Sequence, residues 1–265
     1  MREFFGFGGY ERTPEGFLSW QHILYSSILT VIMIAAAIIL GRIYKNKDDK
    51  SKNKVILWTG IILDSLWFLK IIILSIRGNN PLYFLIDLPL FLCSIMFIAV
   101  PLAAFTKGRI REAALDFIFI FGILAGIMGN YGAGQNFNAY PVLSFDNIVS
   151  GLTHSISGFI SLFVGIAGIT SMKKNNIWIT FLILVGFCVL AYIADITIPY
   201  NYMFLMRGDG TPYDIFYNLV NGNRILYPLI VVGLFLLYIA AYYGVYYLVT
   251  YLIKKHKDNK ASEVE

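Results

Sequence analysis

Long apolar runs recur along the chain at helix length and are separated by short polar connections. A helix needs about 20 apolar residues, with a range of about 17–25, to cross the hydrocarbon core of a bilayer. Seven segments satisfy this requirement, and the fifth is the one most interrupted by polar residues. The pattern predicts an all-α, polytopic membrane bundle with seven transmembrane helices, at residues 22–44, 55–76, 82–105, 113–133, 145–171, 176–199 and 225–252.

The composition excludes a soluble protein. Of the 265 residues, 58% are hydrophobic and 14% are charged, whereas soluble domains have about 45–50% apolar and about 25% charged residues. An open sheet cannot span a bilayer, because hydrocarbon offers its edge groups no hydrogen-bond partner. The runs are too continuous for the alternating strands of a membrane barrel. No internal repeat is visible, so we expect residues 1–265 to form a single integral membrane domain.

The distribution of lysine and arginine predicts the orientation. With seven spans, one side of the membrane receives 15 basic residues and the other side receives 5, with Lys70 inside the second span. Basic residues accumulate on the cytoplasmic side, so the N-terminus is predicted outside and the C-terminus in the cytoplasm. We therefore expect a multi-pass protein of the cell membrane. The net charge of +5 is explained by this orientation, and no nucleic-acid partner is predicted.

Polar side chains are few within the predicted spans and form a stripe along the fifth. Their spacing of three and four residues places them on one face of a helix. Polar groups are expensive in hydrocarbon, so this face is expected to point into the bundle. Neighbouring glycines would let another backbone approach closely. The stripe consists of Asn147, Ser150, His154, Ser157 and Ser161, with Gly151 and Gly158 beside it.

The stretch DLPLFLCSI, residues 87–95, brings a carboxylate, a proline and a thiol into the third span. If Ser144 caps the fifth helix, His154 lies about 15 Å deep and Cys93 about 18 Å deep at 1.5 Å per residue. The two side chains are therefore predicted to meet near mid-membrane, with His154 as the base that activates a nucleophilic Cys93. These residues alone leave open that both are packing residues. Cys188, on the cytoplasmic half of the sixth span, is interpreted as structural.

Six further residues are candidates for a polar pocket that could stabilise an oxyanion. Asp87 is expected to pair with Lys70 or His22, whereas Asp64 has no evident partner. Zinc is a weak alternative, because no ligands share the tight local spacing of zinc motifs, and neither a metal nor another cofactor is predicted. The six candidates are Asn147, Ser150, Asn130, His22, Asp87 and Asp195.

Four segments, in order along the chain, are similar to those of a known family. They are SWQHILY opening the first helix, LPLFLC in the third, YPVLSFDNIVSGLTHSISGF leading into the fifth, and IPYNYMFL after the sixth. With these segments the chain resembles the YwaF-like integral membrane proteins of bacteria, which are related to the eukaryotic transmembrane protein 164 acyltransferases. The resemblance implies a seven-helix acyl-transfer fold in which Cys93 and His154 match the proposed catalytic pair. Many members carry histidine two residues before the cysteine, where this chain has Phe91.

The residues and the resemblance together predict a membrane-embedded acyltransferase that moves a fatty acyl chain between lipids through an acyl-cysteine intermediate. Its expected partner is a membrane phospholipid or lysolipid substrate. With water as acceptor, the same residues would make a lipid hydrolase. A small-solute transporter, whose path would be lined by intramembrane charges, and a lipid-binding protein are the non-enzymatic alternatives. The sequence does not predict an oligomeric state.

Overall fold

The computed structural model describes residues 2–170, 172–198 and 200–262, and these contain α-helices and 3₁₀ turns but no strand. The 3₁₀ turns are Tyr83–Ile86, Lys174–Asn176 and Tyr202–Phe204. The α-helices in this part of the chain are α1 Trp20–Tyr44, α2 Asp49–Arg77, α3 Met96–Phe105, α4 Gly108–Tyr131, α5 Gly134–Ala139, α6 Phe145–Ile166, α7 Ile177–Thr197, α8 Asp214–Leu219 and α9 Leu226–Ser262.

Within the described residues, six helical stretches are long and apolar enough to cross a membrane: α1, α2, α4 with α5, α6, α7 and α9. The helical, multi-pass membrane class is therefore confirmed. The fifth predicted span, which polar residues interrupt in the sequence, is the continuous helix α6. Ser144 caps it as expected, because its side chain accepts a hydrogen bond from the Asn147 backbone N–H. The count of seven spans and the orientation of the termini stay predictions.

Helices α4 and α6 form the centre of the bundle. In their most apolar stretches 61% and 50% of residues are buried, against 17–22% in α1, α2, α7 and α9. The outer helices expose large apolar side chains such as Trp58 and Leu237, as expected of surfaces that face lipid. Polar side chains on α6 therefore lie inside the protein, because this helix has little lipid-facing surface.

Glycines let α4 and α6 approach closely. A Cβ atom added at Gly126 would lie 2.9 Å from the Cα of Gly158, so the two backbones are nearly in contact. At Gly151, an added Cβ would lie 2.5 Å from the Tyr25 hydroxyl of α1. The glycines beside the polar stripe thus serve helix packing, as the sequence predicted.

The prediction of a continuous third helix over 82–105 is wrong. After the turn Tyr83–Ile86 the chain is irregular up to Ile95, and α3 is only the ten residues Met96–Phe105. Pro89 explains the break, because proline lacks an N–H and disfavours helical conformation in the residue before it. The apolar run therefore has the length of a spanning helix without its structure.

Side chains of neighbouring elements satisfy backbone groups of this irregular segment. Tyr202 donates a hydrogen bond to the Leu85 carbonyl at 2.6 Å and accepts one from the Leu88 N–H at 3.2 Å. Trp67 of α2 donates to the Asp87 carbonyl at 3.1 Å. Irregular backbone is tolerated at membrane depth only where protein or water supplies such partners. The break is thus built into the fold by partners on other elements.

The broken segment nevertheless runs along most of α2. Near the start of the segment Asp87 pairs with Lys70 of α2, and near its end the Ala104 carbonyl accepts a hydrogen bond of 2.9 Å from Asn53 of α2. Lys70 and Asn53 are separated by about 25 Å of helix at 1.5 Å per residue. The segment therefore covers most of a hydrocarbon core that is about 30 Å thick, irregular in one half and helical in the other.

Candidate functional site

A buried ion pair fixes the register of α2 against the antiparallel α6. Arg77, at the end of α2, donates hydrogen bonds of 2.6 and 2.8 Å to the two carboxylate oxygens of Asp146. This bidentate geometry is specific to guanidinium and carboxylate. From the pair, Lys70 lies about 10 Å along α2 and His154 about 12 Å along α6 at 1.5 Å per residue. The pair thus brings Lys70 and His154 to nearly the same depth.

The N-terminal segment covers this ion pair. Tyr10 donates a hydrogen bond of 2.5 Å to Asp146, and Arg77 donates one of 3.2 Å to the Phe5 carbonyl. Burial, together with the hydrogen bond to Asp146, raises the pKa of Tyr10 to about 12. The segment therefore docks through a neutral phenol that remains a hydrogen-bond donor at physiological pH.

Asp87 and Lys70 form the predicted ion pair, with 2.9 Å between Lys70 Nζ and Asp87 Oδ1. Their side chains are 20% and 30% exposed respectively, so the pair is mostly shielded from solvent. The second carboxylate oxygen of Asp87 is buried and has no hydrogen-bond partner among the described residues. His22, the alternative partner considered for Asp87, is engaged elsewhere.

Cys93 lies in the turn that precedes α3, and not within a helix. It is a free cysteine and is partly buried. Asp87, which pairs with Lys70, lies six residues before Cys93 in the same irregular segment. The break in the chain thus places the thiol on a turn instead of on a helix face.

His154 projects from the middle of α6 toward α4. Its ring lies directly over Gly129, where an added Cβ would be 2.1 Å from the ring atoms Cγ and Nδ1. The ring also lies near the backbone carbonyl of Ala125. His154 is partly accessible in spite of its depth. Because Gly129 has no side chain, the imidazole of His154 can pack directly against the backbone of α4.

Lys70 lies at nearly the depth of His154 and pairs with Asp87, six residues before Cys93. Cys93 and His154 are both described, and no hydrogen bond joins them directly. Hydrogen bonds between catalytic groups are often long in a protein without substrate and shorten when substrate binds. The pairing of Cys93 with His154 therefore stays a prediction.

Phe91, at the position where many family members have histidine, belongs to an aromatic cluster. Its ring centroid lies 5.3 Å from that of Tyr202, 6.0 Å from Tyr200 and 6.1 Å from Phe204. The segments LPLFLC and IPYNYMFL, which are far apart in the sequence, therefore meet in the fold. In this chain the position two residues before Cys93 is used for packing.

His22 is a structural residue. It is fully buried, its Nδ1 accepts a hydrogen bond of 3.0 Å from the Leu18 N–H, and its Nε2 lies 2.9 Å from the Asn130 carbonyl. Because Nδ1 accepts, the proton of the neutral ring is on Nε2, which donates to the carbonyl. Both nitrogens are therefore occupied, and neither is available as a base or a metal ligand.

The amide hydrogens of both candidate asparagines are also engaged. Asn130 donates to the Gly126 carbonyl at 2.8 Å and to Ser155 Oγ at 3.0 Å. Asn147 donates to the Tyr140 and Pro141 carbonyls at 2.9 and 3.0 Å. Neither amide therefore has a hydrogen left for an oxyanion, although the side-chain oxygen of each is buried without a described partner.

Ser150 keeps more freedom than the asparagines. Its hydroxyl oxygen accepts a hydrogen bond of 3.4 Å from Asn136, and within the described chain it is not seen to donate. It lies one turn from His154 on the same face of α6. Among Asn130, Asn147 and Ser150, Ser150 is the residue whose polar hydrogen has no acceptor in the described part of the chain.

Asp195 and Cys188 lie on α7, away from the groups around Lys70. Asp195 Oδ1 accepts a hydrogen bond of 2.6 Å from the Tyr202 backbone N–H, while Oδ2 is buried without a described partner. The Cys188 sulfur is buried and lies 3.6 Å from the Met203 sulfur. Asp195 thus anchors the turn that holds the broken segment, and Cys188 packs behind it.

Sequence reasoning missed Asp116, a fully buried carboxylate in α4. It accepts hydrogen bonds from the Thr170 hydroxyl at 2.8 Å, the Met172 N–H at 2.9 Å and the Tyr243 hydroxyl at 3.3 Å. It therefore ties the connection after α6 to α4 and α9. The sequence did contain a signal, because a single carboxylate inside an apolar run costs much free energy unless it is paired.

Asp64, whose role the sequence left open, lies in the middle of α2 with a buried Oδ1 that has no partner among the described residues. In the same part of the chain, no group of three or more histidine, cysteine or acidic side chains is arranged to hold a metal ion.

The comparisons with known proteins agree with the fold and the motifs. A family model described as the TMEM164 family matches residues 17–253. Neither a curated protein nor a solved structure matches the chain. The match covers all four similar segments and every candidate site residue, from His22 to Asp195. The chain therefore belongs to the TMEM164 family.

Proposed function

We propose that this protein is a lipid acyltransferase of the cell membrane that works through an acyl-cysteine intermediate. The observation that supports this best is the Lys70–Asp87 ion pair, because Lys70 lies at nearly the depth of His154 and Asp87 precedes Cys93 by six residues. A thiol beside a cation and a histidine is the usual setting of a nucleophilic cysteine. The substrates we infer are a phospholipid donor and a lysolipid acceptor.

The reaction has two halves. In the first, His154 takes the thiol proton, the Cys93 sulfur attacks the ester carbonyl carbon, and the C–O bond breaks. The leaving alkoxide takes the proton from His154, which leaves a lysolipid and an acyl-cysteine thioester. In the second, the hydroxyl of the acceptor loses its proton to His154 and attacks the thioester. The C–S bond breaks, and the proton returns to the sulfur.

Lys70 supplies the positive charge that both halves require. A negative charge develops first on sulfur and then on the carbonyl oxygen, and a fixed ammonium inside a shielded site stabilises both. Asp87 holds the ammonium in place through its 2.9 Å contact. Ser150 is the remaining hydroxyl donor for the oxyanion. We assign Lys70 this role in addition to its ion pair with Asp87.

Mass spectrometry of the purified protein tests the proposal. Incubation with a phospholipid should add one acyl group to Cys93, released by hydroxylamine, and the group should be absent in Cys93→Ala. His154→Ala, folded as judged by its thermal unfolding, should form at least about tenfold less adduct, because a positioned base contributes about 10²–10⁴-fold. Cys188→Ala is the matched control and should acylate normally. Adduct on Cys188, or undiminished adduct in His154→Ala, would overturn the proposal.

The acceptor distinguishes transfer from hydrolysis. When a lysolipid is added to the acyl-enzyme, transfer predicts a new phospholipid that carries the acyl group of the donor. Free fatty acid as the product, at the same rate with and without lysolipid, would instead identify a lipid hydrolase that uses the same residues.

A transporter is the second candidate, and Asp64 is the observation that favours it. An unpaired carboxyl in the middle of α2, together with a broken crossing, is typical of ion pathways in membrane proteins. Flux measured in proteoliposomes separates the two functions. Flux that survives Cys93→Ala and is lost in Asp64→Asn would support transport.

A further inference from the structure

A crevice between α7 and α9 opens on the surface of the bundle, away from Cys93 and His154. It has a volume of about 350 Å³, within the range of small-molecule sites. Its walls are almost entirely apolar. They are formed by Val185, Cys188, Val189, Ile193, Leu229 and Val232, with Leu205 at the back.

The crevice has a polar end. Arg224 and Tyr192 line it where the connection between α8 and α9 meets the end of α7. Tyr192 donates a hydrogen bond of 3.2 Å to the Arg224 carbonyl, which fixes the backbone there. From this end the walls continue to Val185, seven residues from Tyr192, and to Val232, eight residues from Arg224, which is about 10–12 Å at 1.5 Å per residue. The space is thus a narrow apolar slot with one cation at its mouth.

Arg224 differs from three other arginines at this end of the bundle. Arg12, Arg77 and Arg207 are each paired with a carboxylate of the same chain. Arg224 is exposed and forms no ion pair with any described residue. An arginine fork beside an apolar slot matches a ligand with a phosphate at one end and a hydrocarbon chain at the other.

We propose that this crevice is a binding site for a glycerophospholipid, with the phosphate on Arg224 and one acyl chain between α7 and α9. The site is separate from the groups around Lys70 and does not depend on their chemistry. Its back wall, Leu205, follows the turn that packs against Phe91. A bound lipid therefore supports the turn that holds the broken segment in place.

Native mass spectrometry of the protein in detergent, titrated with phosphatidylglycerol, tests the site. Wild-type protein should retain one lipid in the crevice, in addition to any phospholipid that binds near Cys93 as substrate. Arg224→Gln should weaken binding about tenfold, the equivalent of one charge-assisted hydrogen bond. Diacylglycerol, which lacks the phosphate, should bind the wild type as weakly as phosphatidylglycerol binds Arg224→Gln. Equal binding of both lipids to wild type would overturn the assignment of the phosphate to Arg224.

The second test fills the crevice with a larger side chain. Val189→Trp should remove the crevice lipid by occupying the slot, whereas Leu190→Trp, the next residue, equally exposed but outside the lining, should leave that lipid bound. Loss of binding in both variants, or in neither, would overturn the proposal. So would a dimer of the chain that replaces the lipid adduct and disappears in Val189→Trp. Cys93→Ala should bind lipid normally, which separates this result from the test of acyl transfer.

Discussion

Removal of one hydroxyl group, in Tyr202→Phe, tests how the broken third crossing is held. The Tyr202 side chain is fully buried and bridges the Leu85 carbonyl and the Leu88 N–H. Phenylalanine keeps the ring and its contacts with Phe91. The substitution therefore removes the two hydrogen bonds and little else.

The expected loss follows from what becomes of the two backbone groups. Each buried group that loses its partner costs about 1–3 kcal/mol, so we expect Tyr202→Phe to lower the free energy of unfolding by about 2–6 kcal/mol. Tyr242→Phe is the matched control. Its hydroxyl donates only to the Phe119 carbonyl, which also accepts from Ser161 at 2.7 Å, so the control should cost about 0.5–1.5 kcal/mol.

Reversible unfolding in mixed detergent micelles, followed by tryptophan fluorescence, measures both variants. Alkylation of Cys93 in a Cys188→Ala background gives a local readout, because a loosened segment should react faster. If Tyr202→Phe is no more destabilising than Tyr242→Phe and leaves the alkylation rate unchanged, the hydroxyl does not hold the segment, and our account of the break is wrong.

Three further predictions concern α2, α4 and α6. Gly129→Ala should displace the ring of His154 and cost about 1–3 kcal/mol by overpacking, with a matching loss of acyl-cysteine in the mass-spectrometric assay. Arg77→Met should lower the free energy of unfolding by about 3–5 kcal/mol, because it leaves Asp146 buried without its cation. The pKa of Tyr10 is about 12 in the folded protein and about 10 when unfolded. Docking of the N-terminal segment should therefore be complete below pH of about 10 and lost toward about 12, as measured by limited proteolysis.

Each of these predictions has its control. A Cβ added at Gly233 would have no atom within 4 Å. If Gly233→Ala lowered stability and acyl-cysteine formation as much as Gly129→Ala, the role of Gly129 would be contradicted. A double variant of Arg77→Met with Asp146→Asn should cost less than the sum of the two single changes, and simple additivity would count against the ion pair. Tyr10→Phe should remove the pH dependence of docking, and an unchanged pH response would point to another group.

The sequence by itself determined the membrane class and most of the helices. Hydrocarbon demands long apolar segments and internal backbone hydrogen bonds, so composition and run length are sufficient for that conclusion. The stripe on α6 and its cap at Ser144 also followed from local spacing, and the cost of an isolated charge predicted a partner for Asp87, with Lys70 as one of two candidates. These features depend on residues that are close in sequence, or on the free-energy cost of burying a single unpaired charge.

Only the tertiary structure decided the third crossing and the composition of the site. An apolar run has the same hydropathy whether it is helical or broken, and Tyr202, a partner that stabilises the break, is more than 100 residues away. Likewise, the spacing of Asn130, Asn147 and His22 could not reveal that their hydrogen-bonding groups were already engaged. Partner choice is a property of contacts between distant segments, so it became visible only when the helices were packed.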